Sequence, residues 1–161
     1  MGIGKGTGMQ IHGAMELDAK LAALGRKVGK RIARRAIRVP AERVRNRAKL
    51  NLARVTTERT GELDRSIGLK FIERKGVATY IVGARISGGF KGFHGHLIEF
   101  GTRPRVQGLF GRYVGAVKPR PFLRPAFDSL RESNLVLMRK ILREGIEREA
   151  RKAANAAGRA A

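Results

Sequence analysis

The 161-residue chain carries 35 Lys and Arg against 13 Asp and Glu, a formal charge of +22, and has no cysteine. Disulfides, thiolate metal sites and thiol nucleophiles are thereby excluded, and so basic a chain is expected among polyanions or acidic neighbours. With 42% hydrophobic residues it can bury the core of one domain, and its length leaves little room for a second.

The opening MGIGKGTGMQ is glycine-rich and reads as a flexible arm over residues 1–14. It lacks the apolar core of a secretory leader, and Gly6 stands where a myristoylation signal needs Ser or Thr. GIGKGTG is not a phosphate loop either, because no strand precedes it and no Lys-Ser/Thr pair opens a helix after it. No apolar run approaches the roughly 20 residues that span a bilayer.

Residues 15–157 read as a single α+β domain, with helix over 15–55, a sheet with loops and a short helix over 66–118, a second long helix over 125–157, and a frayed tail at 158–161. In the first stretch Leu17, Leu21, Leu24, Val28, Ile32, Ala36 and Val39 keep to one helical face, and Val44, Ala48, Leu52 and Val55 resume the series. Pro40 lies between them and is expected to kink or restart the helix. The opposite face carries Arg26, Lys27, Lys30, Arg31, Arg34, Arg35 and Arg38, followed by Arg45 and Lys49, and no acid lies between Asp18 and Glu42 to pair with them. These nine cations form the candidate surface for DNA or an acidic partner.

Gly61 breaks the helical period, and two runs rich in Ile, Phe, Val and Tyr then flank RKG, which signals a hairpin. SGGFKGFHG, residues 87–95, is a glycine-rich loop. HLIEF reads as a short helix stopped by Gly101. Four prolines, Pro104, Pro119, Pro121 and Pro125, surround one expected strand in RYVGAV, and no acid occurs between Glu99 and Asp128. Phe127, Leu130, Leu137, Met138, Ile141, Leu142 and Ile146 predict the apolar face of the last helix, with Pro125 in its first turn. At about 1.5 Å per residue that helix runs roughly 50 Å, more than a small sheet needs for cover, so part of it should project or meet another subunit.

His94, His96 and Glu99 are the one cluster that suggests a metal or a catalytic base. On a strand the two histidines share a face without Glu99, and on a helix His96 and Glu99 share one without His94, so neither geometry collects three ligands. Ser66, Ser87, Ser129 and Ser133 sit in no nucleophile-elbow context. The expectation is a non-enzymatic protein without metal, cofactor or small-molecule substrate, in which Glu99 meets an arginine such as Arg103 or Arg124, or backbone at the turn.

TGELDRSI at 60–67, HLIEFGT at 96–102 and PRPFLRPAF at 119–127, in that order and between two long helices, resemble the tail-completion, or head–tail joining, proteins of long-tailed bacteriophages. The likeness runs from about Met9 to Ala150 and departs from the family pattern at His94, Gly95 and His96, where an aromatic and a small residue are usual. It implies an α+β subunit, a small antiparallel or mixed sheet flanked by a long kinked N-terminal helix and a long C-terminal one. Such subunits would form a homo-oligomeric ring, expected as a hexamer, in the virion neck, beside tail-terminator and head-completion or connector proteins, with genomic DNA passing through and no membrane partner. The matching positions are Thr60, Gly61, Leu63, Ser66 and Ile67, then Glu99, Phe100, Gly101 and Thr102, then Pro121, Phe122, Leu123, Arg124 and Pro125. By this resemblance Thr60 and Gly61 turn the helix into the sheet, Gly101 lets the chain leave HLIEF sharply, and Phe122, Leu123, Pro125 and Phe127 lock the last helix to the core. The alternative from another class is a sequence-independent nucleic-acid-binding protein that lays its basic helix along phosphates.

Overall fold

The computed structural model of the protein describes residues 25–56, 61–107 and 112–160. The arm, the 15–24 portion of the expected first helix and Thr60 fall outside that range. Within it the elements are α1 (Arg26–Val55), α2 (Glu62–Ser66), β1 (Ile67–Arg74), β2 (Val77–Ala84), a 3-10 turn (Gly92–His94), α3 (Gly95–Phe100), β3 (Arg105–Gln107), β4 (Arg112–Gly115) and α4 (Leu123–Ala160). The fold is α+β, a small antiparallel sheet flanked by two long helices.

α1 does not restart at Pro40; the helix is unbroken through it. A proline inside a helix costs about 3 kcal/mol through a lost backbone bond and a clash with the preceding turn, and here the cost is offset by packing. Pro40 is buried, and its carbonyl accepts a hydrogen bond from Asn134 Nδ2 on α4 at 3.4 Å. Asn134 Oδ1 accepts in turn from Arg43 at 3.0 Å, so a buried amide on α4 is satisfied by α1 at the proline and three residues after it.

α1 and α4 lie antiparallel. Asn51 Nδ2 donates to the Phe122 carbonyl near one end of the pair, Ile32 meets Gly145 toward the other, and Arg31 reaches Glu149 at 3.2 Å. The buried row on α1 is Gly29, Ile32, Ala36, Pro40, Val44, Ala48 and Leu52, almost entirely i, i+4, and on α4 it includes Ala126, Leu130, Asn134 and Gly145. Ridges at this spacing interlock closely where residues are small; a Cβ on Gly145 would stand 2.6 Å from Ile32 Cγ2. The face predicted for α4 packs inward in the main, with Leu130 buried and Leu137, Met138, Ile141, Leu142 and Ile146 half-buried. Phe127 is 51% exposed, while Asn134 and Gly145, which apolar periodicity skips, are buried.

β1 and β2 form an eight-pair antiparallel hairpin running from Ile67↔Ala84 to Arg74↔Val77. Its two-residue turn, Lys75–Gly76, has φ of 49° and 79°, the left-handed pair that matches the twist of the strands. A hairpin of two strands is marginal by itself, and this one rests on α1. Phe71 and Tyr80 pair across the strands with ring centroids 5.0 Å apart, and Arg34 of α1 lies over the Phe71 ring at 4.7 Å. β3 and β4 form a separate two-stranded sheet. The RYVGAV segment thus gives a strand only over Arg112–Gly115, and Arg105–Gln107, which has no period-2 signal of its own, pairs with it. α4 begins at Leu123, two residues before Pro125, and continues to Ala160.

Among the described residues a hydrophobic core joins Val44, Ala48 and Leu52 of α1, Leu63 of α2, Ile67 of β1, and Phe122, Ala126 and Leu130 at the start of α4. It lies where the three motif segments meet.

Candidate functional site: a joint built from three motif segments

In TGELDRSI, Gly61 takes a left-handed conformation, φ 64°, and precedes the single turn of α2. That turn points Leu63 and Ser66 inward, and both are buried, as is Ile67 at the start of β1. Ser66 Oγ donates to the Leu63 carbonyl at 2.6 Å, so the hydroxyl is spent on its own turn rather than held free as a nucleophile. Gly92 packs against Ser66 so closely that a Cβ there would stand 2.5 Å from Ser66 Oγ. The Gly92 N–H also donates to the Arg85 carbonyl at 3.0 Å. The glycine-rich loop is thus tied to the first motif at its second half.

In HLIEFGT, Glu99 is 6% exposed and its carboxylate is directed at the start of α4. Oε2 accepts from the N–H groups of Phe122 at 2.8 Å and Leu123 at 2.9 Å, and Oε1 from that of Arg124 at 2.9 Å. The opening N–H groups of a helix have no partner within the helix. Here three are taken by one carboxylate, and the next residue, Pro125, has none to offer. An anion at this end also faces the positive end of the helix dipole, and bonds from N–H to an ionised acceptor are stronger than neutral ones. Of the two partners expected for Glu99, backbone is the one observed. Arg124 instead lies 3.9 Å from Asp128, both largely exposed, and Arg103 is exposed.

Gly101 is the exit that makes this possible. At φ 71° it occupies a region that side chains disfavour, and a Cβ would stand 2.6 Å from the Val117 carbonyl oxygen and 2.9 Å from Pro119. The returning chain is held across it. Thr102 N–H donates to the Val117 carbonyl at 2.9 Å, Val117 N–H donates to Thr102 Oγ1 at 3.0 Å, and Arg120 N–H donates to the Ile98 carbonyl at 2.7 Å. Arg120 also donates from its guanidinium to the Val55 carbonyl of α1 at 3.1 Å. In PRPFLRPAF, Phe122 is fully buried and Leu123 half-buried, but Pro121, Arg124, Pro125 and Phe127 are exposed. Of the four residues expected to lock α4 to the core, Phe122 and Leu123 do so. Phe100 is 78% exposed and faces away from the joint that Glu99 closes.

The histidines do not join Glu99. The His94 ring stacks on Phe93 with centroids 3.7 Å apart, both histidines are exposed, and among the described residues no group of three or more His, Asp or Glu is placed to hold a metal.

The basic face of α1 is less bare than its sequence implies. Glu73 of β1 takes both Lys30, at 2.7 Å, and Arg34; Arg31 meets Glu149, Arg38 meets Glu42 at 2.8 Å, and Lys49 meets Asp64 at 2.9 Å. Arg45 donates to Asn46 at 3.1 and 3.0 Å. Lys27 and Arg35 are exposed and have no ion pair among the described residues; the Arg26 side chain falls outside them. Hydrogen bonds from Lys30 and Arg34 hold the Glu73 carboxyl below the usual carboxylate range, and a hydrogen bond from Lys152 does the same for Glu149. The acids missing from the helix are supplied by the hairpin, α2 and α4, a neutralisation that no local reading of the helix reveals.

Among the described residues no helix is long and apolar enough to cross a membrane. No curated protein and no solved structure matches the chain. A family model described as "Bacteriophage HK97-gp10, putative tail-component" matches residues 15–101, which contain α1, α2, the β1–β2 hairpin and α3 up to the Gly101 exit. The match spans more than half of the chain, with the first motif segment and all of the second but Thr102, and the chain therefore belongs to the HK97-gp10-like family of bacteriophage tail components.

Proposed function

We propose that the protein is a non-enzymatic ring subunit at the head–tail interface of a phage virion, which completes the tail or joins it to the head connector, or both, while the genome passes through the ring. The observation that carries this reading is a surplus of apolar surface on a fixed frame. Among the described residues, as many large hydrophobic side chains are exposed as hydrophobic residues are buried, with Phe100 at 78%, Ile86 at 73%, Val136 at 66% and Val77 at 65%. Phe100 and Phe127 lie together on one apolar groove, and obligate assemblies cover contiguous apolar surface with neighbours. Tail-component family membership supports a structural role in the virion, and the Ser66 hydroxyl and Glu99 carboxylate, the groups most suited to chemistry, are both engaged with backbone. The ring would be homo-oligomeric, a hexamer by expectation, stacked against tail-terminator and head-completion proteins. The segments 87–95 and 103–120 would serve as docking elements.

Electron microscopy of the purified protein, alone and with added tails, is the direct test. Discrete rings, or a monomer that enters a ring only on tails, are expected. Particles that lack this chain and still join heads to tails and infect would end the proposal. A steep salt dependence of binding to naked duplex DNA, without rings, would favour the nucleic-acid-binding alternative; the ion pairs on α1 predict a shallow slope.

A further inference from the structure

An apolar groove of about 540 Å³ opens between α1, β2, α3 and the first half of α4. It is lined by Pro40 and Val44 of α1, both buried, by Tyr80 and Val82 of β2, and by Leu135 and Met138 of α4. Phe100 and Phe127 stand at its mouth, 78% and 51% exposed. The charged side chains along it are Glu99, Arg124 and Arg131. Glu99 is consumed by the three N–H groups of α4. Arg124 makes only the long, solvent-exposed contact to Asp128, and Arg131 has no ion pair among the described residues. The result is an apolar trough of a size that takes several side chains, with a positive rim.

We propose that this groove binds a segment of another protein in which apolar residues are flanked by Asp or Glu. The choice of occupant follows from charge. A second copy laid face to face would set Arg124 and Arg131 of one groove against the same arginines of the other, a local like-charge juxtaposition that disfavours the contact. A neutral apolar ligand would leave both arginines unused. An acidic-apolar segment satisfies walls and rim together, in the manner of an amphipathic helix laid into a groove. The inference is independent of ring formation, since it holds for a monomer as well as for an assembled subunit.

The test is fluorescence anisotropy of the full-length protein with a short labelled helical peptide carrying leucines on one face and glutamates beside them, compared with the same peptide bearing glutamines. The acidic peptide is expected to bind, the glutamine peptide roughly three- to tenfold more weakly, and Arg124→Gln/Arg131→Gln to erase that difference, as two exposed charge pairs allow. Phe127→Ser should weaken both peptides, with the circular-dichroism melt of each variant unchanged because these side chains are exposed. Equal affinity for the two peptides, indifference to Phe127→Ser, or no binding of either peptide would overturn the proposal. A dimer in sedimentation that Phe127→Ser dissolves would also overturn it, because a second copy would then fill the groove.

Discussion

At Glu99 a single carboxylate supplies a cap that α4 cannot provide for itself. The residue before the helix is Phe122, whose side chain has no acceptor, and the task falls to a side chain more than twenty positions earlier in the chain. Removing it leaves buried donors unpaired, so Glu99→Ala should destabilise by about 2–3 kcal/mol, seen as a fall of about 5–10 °C in the melting midpoint. Glu99→Gln should cost less, since one amide oxygen still accepts while its NH2 opposes an N–H. Arg103→Ala and Arg124→Ala should stay within about 0.5 kcal/mol of wild type, as exposed substitutions do. A loss at Arg124 as large as that at Glu99 would show that the carboxylate relies on a cation after all. Glu73 makes a pH prediction. Its pKa is depressed in the folded state by Lys30 and Arg34; the stabilisation is therefore present above the unfolded carboxylate pKa of about 4.3 and is lost as pH falls through and below it. Urea titrations of wild type and Glu73→Gln should differ at pH 7 and converge in acid. Curves that stay parallel through that range would contradict the ion pairs.

The two long helices meet through i, i+4 rows in which small residues set the distance. Gly145 is the sharpest case. Alanine is the better helix former by about 1 kcal/mol, yet its methyl would stand 2.6 Å from Ile32 Cγ2, and overpacking of this kind costs about 1–3 kcal/mol. Gly145→Ala is expected to destabilise the wild-type protein and to stabilise an Ile32→Ala background. A double-mutant cycle by chemical denaturation measures the coupling, and additive changes would show that the helices do not approach so closely. The expected α4 face left out Asn134 and Gly145 for the same reason. Periodicity counts apolar side chains, whereas this interface admits Asn134 because α1 supplies both of its partners and admits Gly145 because there is no room for more.

For the whole molecule, α4 outruns the frame it caps. Its last ten described positions beyond Ala150 are helical, and the side chains from Arg151 to Arg159 are exposed. Truncation after Ala150 should leave the melting midpoint within about 2 °C of wild type, because little burial is lost. It should impair ring formation or tail joining if this segment meets a neighbouring subunit. A truncated protein that assembles and joins normally would assign the extension no part in assembly.

The sequence by itself determined the element types. Hydrophobic period placed α1, the β1–β2 hairpin with its RKG turn and most of α4, and Gly101 as a stop signal placed the short helix at HLIEF, because each is dictated by side chains a few positions apart. It also singled out Glu99 as an acid in an acid-poor stretch and Gly101 as an exit. What it left open was every pairing between distant residues. The three N–H groups that meet Glu99, the neutralisation of α1 by Glu73, Glu149 and Asp64, the unbroken passage through Pro40 and the small second sheet were decided only when tertiary packing brought the partners together. A charge or a hydrogen-bonding group has its consequence fixed by what lies within a few ångströms, and in this chain those neighbours come from remote parts of the sequence.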